Sequence, residues 1–457
     1  MPSLDQLIAL RSFFETGATR PLSFRKQQLL KLKAALDKYE KEIFAALYSD
    51  LKKSPEECWV TENGFVQAEI SYALKHIGNW MRAEHVGTNL LNLPSKSFIM
   101  AEPLGVVLII SPWNYPFQLL FTPLVGAIAA GNCIVLKSSE FAPATSRVME
   151  RIISETFDPR YILFTAGDGS VEIPQMMKSF IFDHVFYTGS TAVGKLIYQM
   201  AAENLVPVTL ELGGKSPCIV EEDADIKIAA RRITMTKFSN AGQMCVSPDY
   251  LLVHESKKEE FLKELKKVIV EFFGEDASVS ESYGRIINTK QFDRLLKYLN
   301  DGKVVHGGKS DRDKLFLEPT VVDEPSAGSR IMTEEIFGPI LPIIGFTQKA
   351  QALQIISNNK NPLAFYVFTS SKRKEQQWLS AVPFGGGCVN NASWHLTNHH
   401  LPFGGRGYSG SGHYHGKFSF LTFSHRKSVM KTPTWFDPSI KYPPFKGKLK
   451  LFKWVIR

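Results

Sequence analysis

Apolar residues recur at spacings of three and four in Leu4, Leu7 and Ile8, and again in Leu29, Leu32 and Leu36. Residues 1 to about 82 are therefore predicted to be helical. Arg25, Lys26, Lys31, Lys33, Asp37 and Lys38 fill the other faces of those helices and are expected to stand in water. The helical period is lost over residues 83–100, and residues 98–103 are predicted to form an extended edge strand that stops at Pro103.

At residue 104 the texture changes. Leu104-Gly105-Val106-Val107-Leu108-Ile109-Ile110 is a short, unbroken apolar run, as expected of a strand buried on both faces of a parallel sheet. Residues 133–137, 161–164 and 184–187 repeat the pattern, with a helix predicted from about 119 to 130. Alternating strands and helices of this kind predict an α/β fold. A second α/β unit is expected from Glu211 to about Ser393, with a strongly charged helix over 257–270. The closing segment is rich in glycine and histidine, and His413 and His415 alternate as on a strand.

Composition narrows the function classes. A chain of 457 residues suggests two or three domains, and 44% apolar with 12% aromatic residues is enough for a large core. Cys58, Cys133, Cys218, Cys245 and Cys388 are scattered, odd in number and without a CxxC pair. That spacing argues against a disulfide framework or a zinc site and for a reducing, cytoplasmic compartment. The start of the chain lacks a signal-peptide layout, and the apolar stretch 117–136 is broken by Gln118, Pro123, Gly131 and Asn132, so no transmembrane helix is predicted. The net charge of +9 raises nucleic acid as a partner. Much of the excess lies in Lys441, Lys446, Lys448, Lys450, Lys453 and Arg457, after the last acid, Asp437, so no nucleic-acid partner is expected. His399, His400, His413 and His415 have no carboxylate or thiol at a ligand spacing, so no metal is expected either.

Candidate chemistry centres on Phe238-Ser239-Asn240-Ala241-Gly242-Gln243-Met244-Cys245, which puts a thiol behind small and polar residues. Upstream, Val208-Thr209-Leu210-Glu211-Leu212-Gly213-Gly214 puts a carboxylate on an apolar strand that runs into a glycine pair. A thiol can attack and a partly desolvated acid can later activate water. A lone cysteine is more often a small buried hydrophobe, so the pairing matters more than either residue. Asn114, between Pro112 and Pro116, sits where a buried strand ends and open α/β sheets place ligand groups. Lys137 and Glu140 lie just past the next strand. Gly189-Ser190-Thr191-Ala192-Val193-Gly194 joins a strand to a helix and offers free amides to a pyrophosphate. Thr191 stands where a dinucleotide motif has its middle glycine, and a packing turn is a fair rival reading.

Taken in order, Pro112-Trp113-Asn114-Tyr115-Pro116, Leu136-Lys137-Ser138-Ser139-Glu140, the Gly189–Gly194 turn, Leu210-Glu211-Leu212-Gly213-Gly214-Lys215-Ser216-Pro217, Gly242-Gln243-Met244-Cys245 and Glu335-Ile336-Phe337-Gly338-Pro339 resemble the aldehyde dehydrogenase superfamily over essentially the whole chain. Ser247-Pro248-Asp249-Tyr250, the segment Tyr414–Phe420 and Lys441-Tyr442-Pro443-Pro444-Phe445 make it most similar to the class 3 group, with Leu421 a departure where the group carries an acid.

The resemblance implies a Rossmann-like NAD(P)-binding domain over 1–82 and 101–208 and a catalytic domain over 209–393. An oligomerisation arm over 83–100 and 394–430 would serve a homodimer, with a C-terminal tail over 431–457. It also implies that Cys245 is the nucleophile and Glu211 the base, and that the Asn114 amide and the Cys245 N–H hold the oxyanion. Glu335 would meet the nicotinamide ribose with Phe337 flanking it, Trp113 would belong to the cofactor site, Lys137 and Glu140 meet the adenosine ribose, and Gly189, Ser190, Val193 and Gly194 hold the pyrophosphate. The expected substrate is a medium- or long-chain aliphatic or an aromatic aldehyde. The expected cofactor is NAD, with NADP accepted. The rival chemistries are an acylating, coenzyme A-dependent dehydrogenase and a cysteine hydrolase. For the tail, packing against the body competes with peripheral attachment to an anionic membrane and with covering the substrate entrance.

Overall fold

The unbroken apolar runs become the strands of a parallel sheet. In the computed structural model, which describes residues 1–456, Val106–Ile110 is buried along its whole length. It pairs in parallel with Cys133–Lys137 on one side and His184–Thr188 on the other. Ile162–Thr165 and Val208–Glu211 extend the sheet outward, and Gly410–Ser411 closes the far edge in antiparallel register. Strand order reverses on either side of Val106–Ile110, which opens a crevice at the carboxyl ends of the strands. Asn114 follows one strand of that crevice and Gly189 follows its neighbour.

The helix Gln118–Ala130 is buried at every position. Arg25 caps it, contrary to the expectation that this side chain stands in water. Nε donates to the Thr19 carbonyl and Nη1 to the Ala129 carbonyl, both at 3.0 Å. The last carbonyls of a helix lack intrahelical partners, and a guanidinium satisfies one while completing the helix dipole. Burial lowers the Arg25 pKa to about 10.

The second sheet has the order Lys303–His306, Thr320–Asp323, Ile340–Phe346, Tyr250–His254, Pro217–Val220, Ala364–Phe368 and Gly386–Val389, parallel except at its first pair. Residues 212–216 carry the chain from the last parallel strand of the first sheet into the centre of the second. Lys215 in that connection is buried against Asp249 and donates to the carbonyls of Ile331 at 2.7 Å and Glu334 at 2.9 Å.

A third sheet consists of Glu84–Val86, Lys96–Pro103 and Ser424–Lys431. Lys96–Pro103 is its middle strand, not an edge, because Ser424–Lys431, remote in sequence, pairs along its full length. The segment 394–430 does not act as one piece. Gly410–Ser411 joins the first sheet, the helix Lys417–Thr422 packs on Gln118–Ala130, and Ser424–Lys431 pairs in the arm. Gly126 permits that packing, since a Cβ there would lie 2.5 Å from the Ser419 Cβ. Beyond Lys431 the chain is largely exposed, with Trp435 at 77% and Trp454 at 74%. Among the described residues no helix is long and apolar enough to cross a membrane.

Candidate active site

The loop that carries the thiol is held open by backbone geometry. After the helix Ile226–Phe238, Asn240 and Ala241 take left-handed φ values of 50° and 51°, and Gly242 follows at 72°. A Cβ on Gly242 would fall 2.2 Å from the Gly338 carbonyl, so only glycine lets this loop lie on the Glu335–Pro339 turn. Gln243 locks the loop from the other side. Its Nε2 donates to the Arg285 carbonyl at 2.9 Å, and its Oε1 accepts from the Ile287 N–H at 3.0 Å.

Cys245 and Glu211 line one cavity of about 180 Å³. Thr188 joins them, and the rest of the wall is mostly apolar, including Phe65, Leu119, Met235, Trp394 and Phe403. Asn114 is buried behind this wall. Its Nδ2 donates at 3.0 Å to the carbonyl of Gln243, two residues from the thiol. The glycine-rich closing segment also contributes. His415 was expected on a strand, but its φ of 78° breaks the alternation, and its Nδ1 lies 2.9 Å from the Leu396 carbonyl at the cavity wall.

The charges are strongly perturbed. Both oxygens of Glu211 are buried without a hydrogen-bond partner, and burial pushes its carboxyl well above the usual range. Burial, then Glu335 and Glu211, push the Cys245 thiol up to about 12. Glu335 is itself raised to about 7 by burial and by Asp249, against the Gly214 N–H, Lys215 and Arg294. Above pH 7 a charged Glu335 therefore opposes thiolate formation. Glu335→Gln is expected to speed iodoacetamide alkylation of Cys245 in the cofactor-free protein by roughly 3- to 10-fold at pH 8.5 and to leave it unchanged at pH 6. Equal rates at pH 8.5 would show that the two groups are not coupled.

The crevice side fits a nicotinamide dinucleotide. The hydroxyls of Ser111 and Thr188 are buried without partners at the ends of the two strands that flank it. Ser190 caps the helix Thr191–Ala202 by accepting from the Val193 N–H at 3.4 Å, the Gly189 N–H is taken by the Glu211 carbonyl at 3.0 Å and the Gly194 N–H by the Ser190 carbonyl at 2.9 Å, so these three amides are not free as the turn's sequence suggests. Gly194 lies against Leu212, where a Cβ would meet Cδ2 at 2.7 Å. At the next strand end Lys137 is buried, its Nζ 3.6 Å from Glu140. Trp113 and Phe337 meet edge to face with centroids 5.4 Å apart, although they come from different sheets. The carboxylate of Glu335 rests on the glycine pair, where it accepts from the Gly214 N–H at 3.1 Å. The acidic group Glu221, Glu222 and Asp223 is filled by the ammonium of Lys374, 2.9 Å from Glu221.

The structure thus brings Cys245, Glu211, Asn114 and Glu335 together and sets Lys137 with Glu140 apart from them at a neighbouring strand end. Phe65, Met235 and Trp394 were missed by sequence reasoning. Each is an ordinary apolar residue in its own segment, and no local signal separates it from the core.

A thiol and an unpartnered acid facing one apolar cavity, beside a crevice fit for a dinucleotide, are the parts of an oxidoreductase that holds its substrate on sulfur. Residues 8–429 match the model of the aldehyde dehydrogenase family, and the chain belongs to that family. It is 48% identical over 97% of its length to the 4,4'-diaponeurosporen-aldehyde dehydrogenase of Staphylococcus aureus, covering 96% of that protein. It is 42% identical to a dimeric, NADP-preferring aldehyde dehydrogenase of Canis lupus familiaris, covering 96% of this chain and 97% of that one. A substrate-bound structure of Staphylococcus aureus AldH superposes with a TM-score of 0.97 over 100% of both chains at 46% identity. The protein is an NAD(P)-dependent aldehyde dehydrogenase.

Proposed function

We propose that this enzyme oxidises apolar aldehydes, medium- to long-chain aliphatic or aromatic, to carboxylic acids through a covalent intermediate on Cys245. The observation that carries this is the cavity that Cys245 and Glu211 share, with His415 at its wall and most other walls apolar. Cys245 gives up its thiol proton to solvent and attacks the aldehyde carbon as thiolate. The oxyanion is held by the Asn114 side-chain amide and the Cys245 N–H, donors aimed at charge that develops during the reaction. When bound, the nicotinamide supplies the hydride acceptor that turns the thiohemiacetal into a thioester. Glu211 takes a proton from water, which attacks the thioester and releases the acid. Its buried, unpartnered carboxylate is basic enough for that role.

Glu335 would hold the nicotinamide ribose, Phe337 and Trp113 flank the ring, and Lys137 with Glu140 meet the adenosine ribose. Gly189, Ser190, Val193 and Gly194 would line the pyrophosphate. In this division the six-stranded sheet serves the cofactor and the seven-stranded sheet the thiol. The relative named as diaponeurosporenal-oxidising supports a long apolar substrate. With decanal and cofactor, NAD(P)H and decanoate are expected in equal amounts without coenzyme A. A requirement for coenzyme A would point instead to the acylating reaction.

NAD is expected to be the better cofactor, because the Glu140 carboxylate would repel a 2′-phosphate. Glu140→Gln should narrow the NAD/NADP ratio in kcat/KM several-fold, and an unmoved ratio would refute the charge argument. A homodimer is supported by the canine relative's description as dimeric. The exposed basic and aromatic tail favours peripheral contact with an anionic membrane. Deleting residues 446–457 should then abolish co-sedimentation with phosphatidylserine vesicles, and an enzyme that never sediments with them has no such contact.

A further inference from the structure

Behind Asn114 lies a buried ion pair that the chemistry above does not use. Lys53 and Glu62 are both fully buried, with Nζ 2.6 Å from Glu62 Oε1. The remaining contacts of Lys53 run to the turn that carries Asn114. Nζ donates to the Asn114 backbone carbonyl at 3.2 Å and lies 3.8 Å from the centre of the Tyr115 ring. Glu62 Oε2 accepts at 2.8 Å from the N–H of Gln118, the first residue of the buried helix Gln118–Ala130. The pair therefore grips the turn at both ends.

The same short stretch reaches the thiol loop. Glu57 Oε1 accepts from the N–H of Asn240, the residue held at φ 50°. Asn240 Nδ2 donates to the Asn114 carbonyl at 2.7 Å and lies 3.2 Å from the Gln243 carbonyl, which also receives Asn114 Nδ2. Residues 53–62 thus join a turn of the first sheet to the nucleophile loop of the second. Within that stretch the helix passes into a π turn, Trp59–Asn63, a local distortion often found at functional sites.

A stability role alone does not account for this arrangement. The desolvation of a buried ion pair roughly offsets its attraction, and an apolar pair of similar volume often serves the fold equally well. An apolar pair cannot bond to the Asn114 carbonyl and the Gln118 N–H. An oxyanion donor must be held within a fraction of an ångström, because misplacement of a reacting group by about 1 Å costs on the order of 10²-fold. We infer that Lys53 and Glu62 are positioning residues, whose ion pair fixes the Asn114 turn against the thiol loop so that the Asn114 amide is set for the oxyanion before substrate arrives. The inference rests on the oxyanion reading of Asn114.

The test is the double variant K53M/E62L in the full chain, with decanal and NAD. Its melting temperature, NAD affinity and Cys245 alkylation by iodoacetamide are expected to stay close to those of the unaltered protein, while single-turnover hydride transfer slows at least tenfold. Introduced into Asn114→Ala, the same pair should slow transfer less than threefold further, because the amide it positions is gone. A stable K53M/E62L enzyme with an unaltered transfer rate overturns the inference. So does a tenfold loss that persists in full without the Asn114 amide. Should the double variant not fold, Glu62→Gln, which keeps volume but removes the carboxylate's charge, carries the same pair of comparisons. If Asn114→Ala alone transfers hydride at the unaltered rate, the oxyanion reading fails and this inference with it. If Asn114→Ala is slow and the ion-pair variants are not, only the inference fails.

Discussion

Cys245→Ala is expected to lower aldehyde oxidation by about 10⁴-fold or more, the scale on which removal of a covalent nucleophile is felt. Cys245→Ser should do little better, because a hydroxyl is far harder to ionise than a thiol in a site that already raises the thiol to about 12. The loop should survive both changes. Its shape is set by Asn240, Ala241 and Gly242 and by the bonds of Gln243, none of which involves the sulfur. NAD affinity, measured by calorimetry, is therefore expected to be unchanged. Either variant retaining more than a tenth of the original turnover would remove Cys245 from the mechanism.

Glu211→Gln is expected to separate the two halves of the reaction. Attack and oxidation need no base at position 211, so one equivalent of NADH per subunit should form rapidly. Water then lacks its proton acceptor, and steady turnover should fall by roughly 10²–10⁴-fold, the usual contribution of a general base. Mass spectrometry of the stalled protein should find the acyl group on Cys245. The pH dependence has a definite sign. Burial raises the Glu211 pKa, so the basic form grows as pH rises. Steady turnover of the unaltered enzyme should climb with pH above the ordinary carboxylate range, and the Gln variant should lose that climb. Steady turnover without a burst would move the base elsewhere, with Glu335, raised to about 7, the next carboxylate to test.

The parts of this enzyme that were legible in the chain are those set by neighbours in sequence. A strand covered on both faces must be apolar at every position, so Val106–Ile110 and Cys133–Lys137 stand out directly. The strand His184–Thr188, the Gly189–Gly194 turn and the helix Thr191–Ala202 follow one another in the chain and are read in the same way. The errors have the opposite character. Arg25 has the helical spacing of a surface residue, and the carbonyl of Ala129, at the end of a helix far along the chain, together with that of Thr19 holds it inside. Lys96–Pro103 looks like an edge until Ser424–Lys431 pairs with it. His415 leaves its strand pattern because the backbone turns to bring the ring to the cavity wall.

By itself the sequence determined the α/β class, the turns that carry Asn114, Gly189 and Cys245, the strand that bears Glu211, and the family, because each is written in a contiguous stretch. The tertiary structure decided which of them act together. A pKa depends on what surrounds a group in space, so the raised carboxyl of Glu211 and the suppressed thiol of Cys245 exist only once the chain buries them in one cavity. The same holds for Lys53 and Glu62, which read as two more charges on a helical segment. Burial turns them into a pair, and the Asn114 carbonyl gives that pair something to hold.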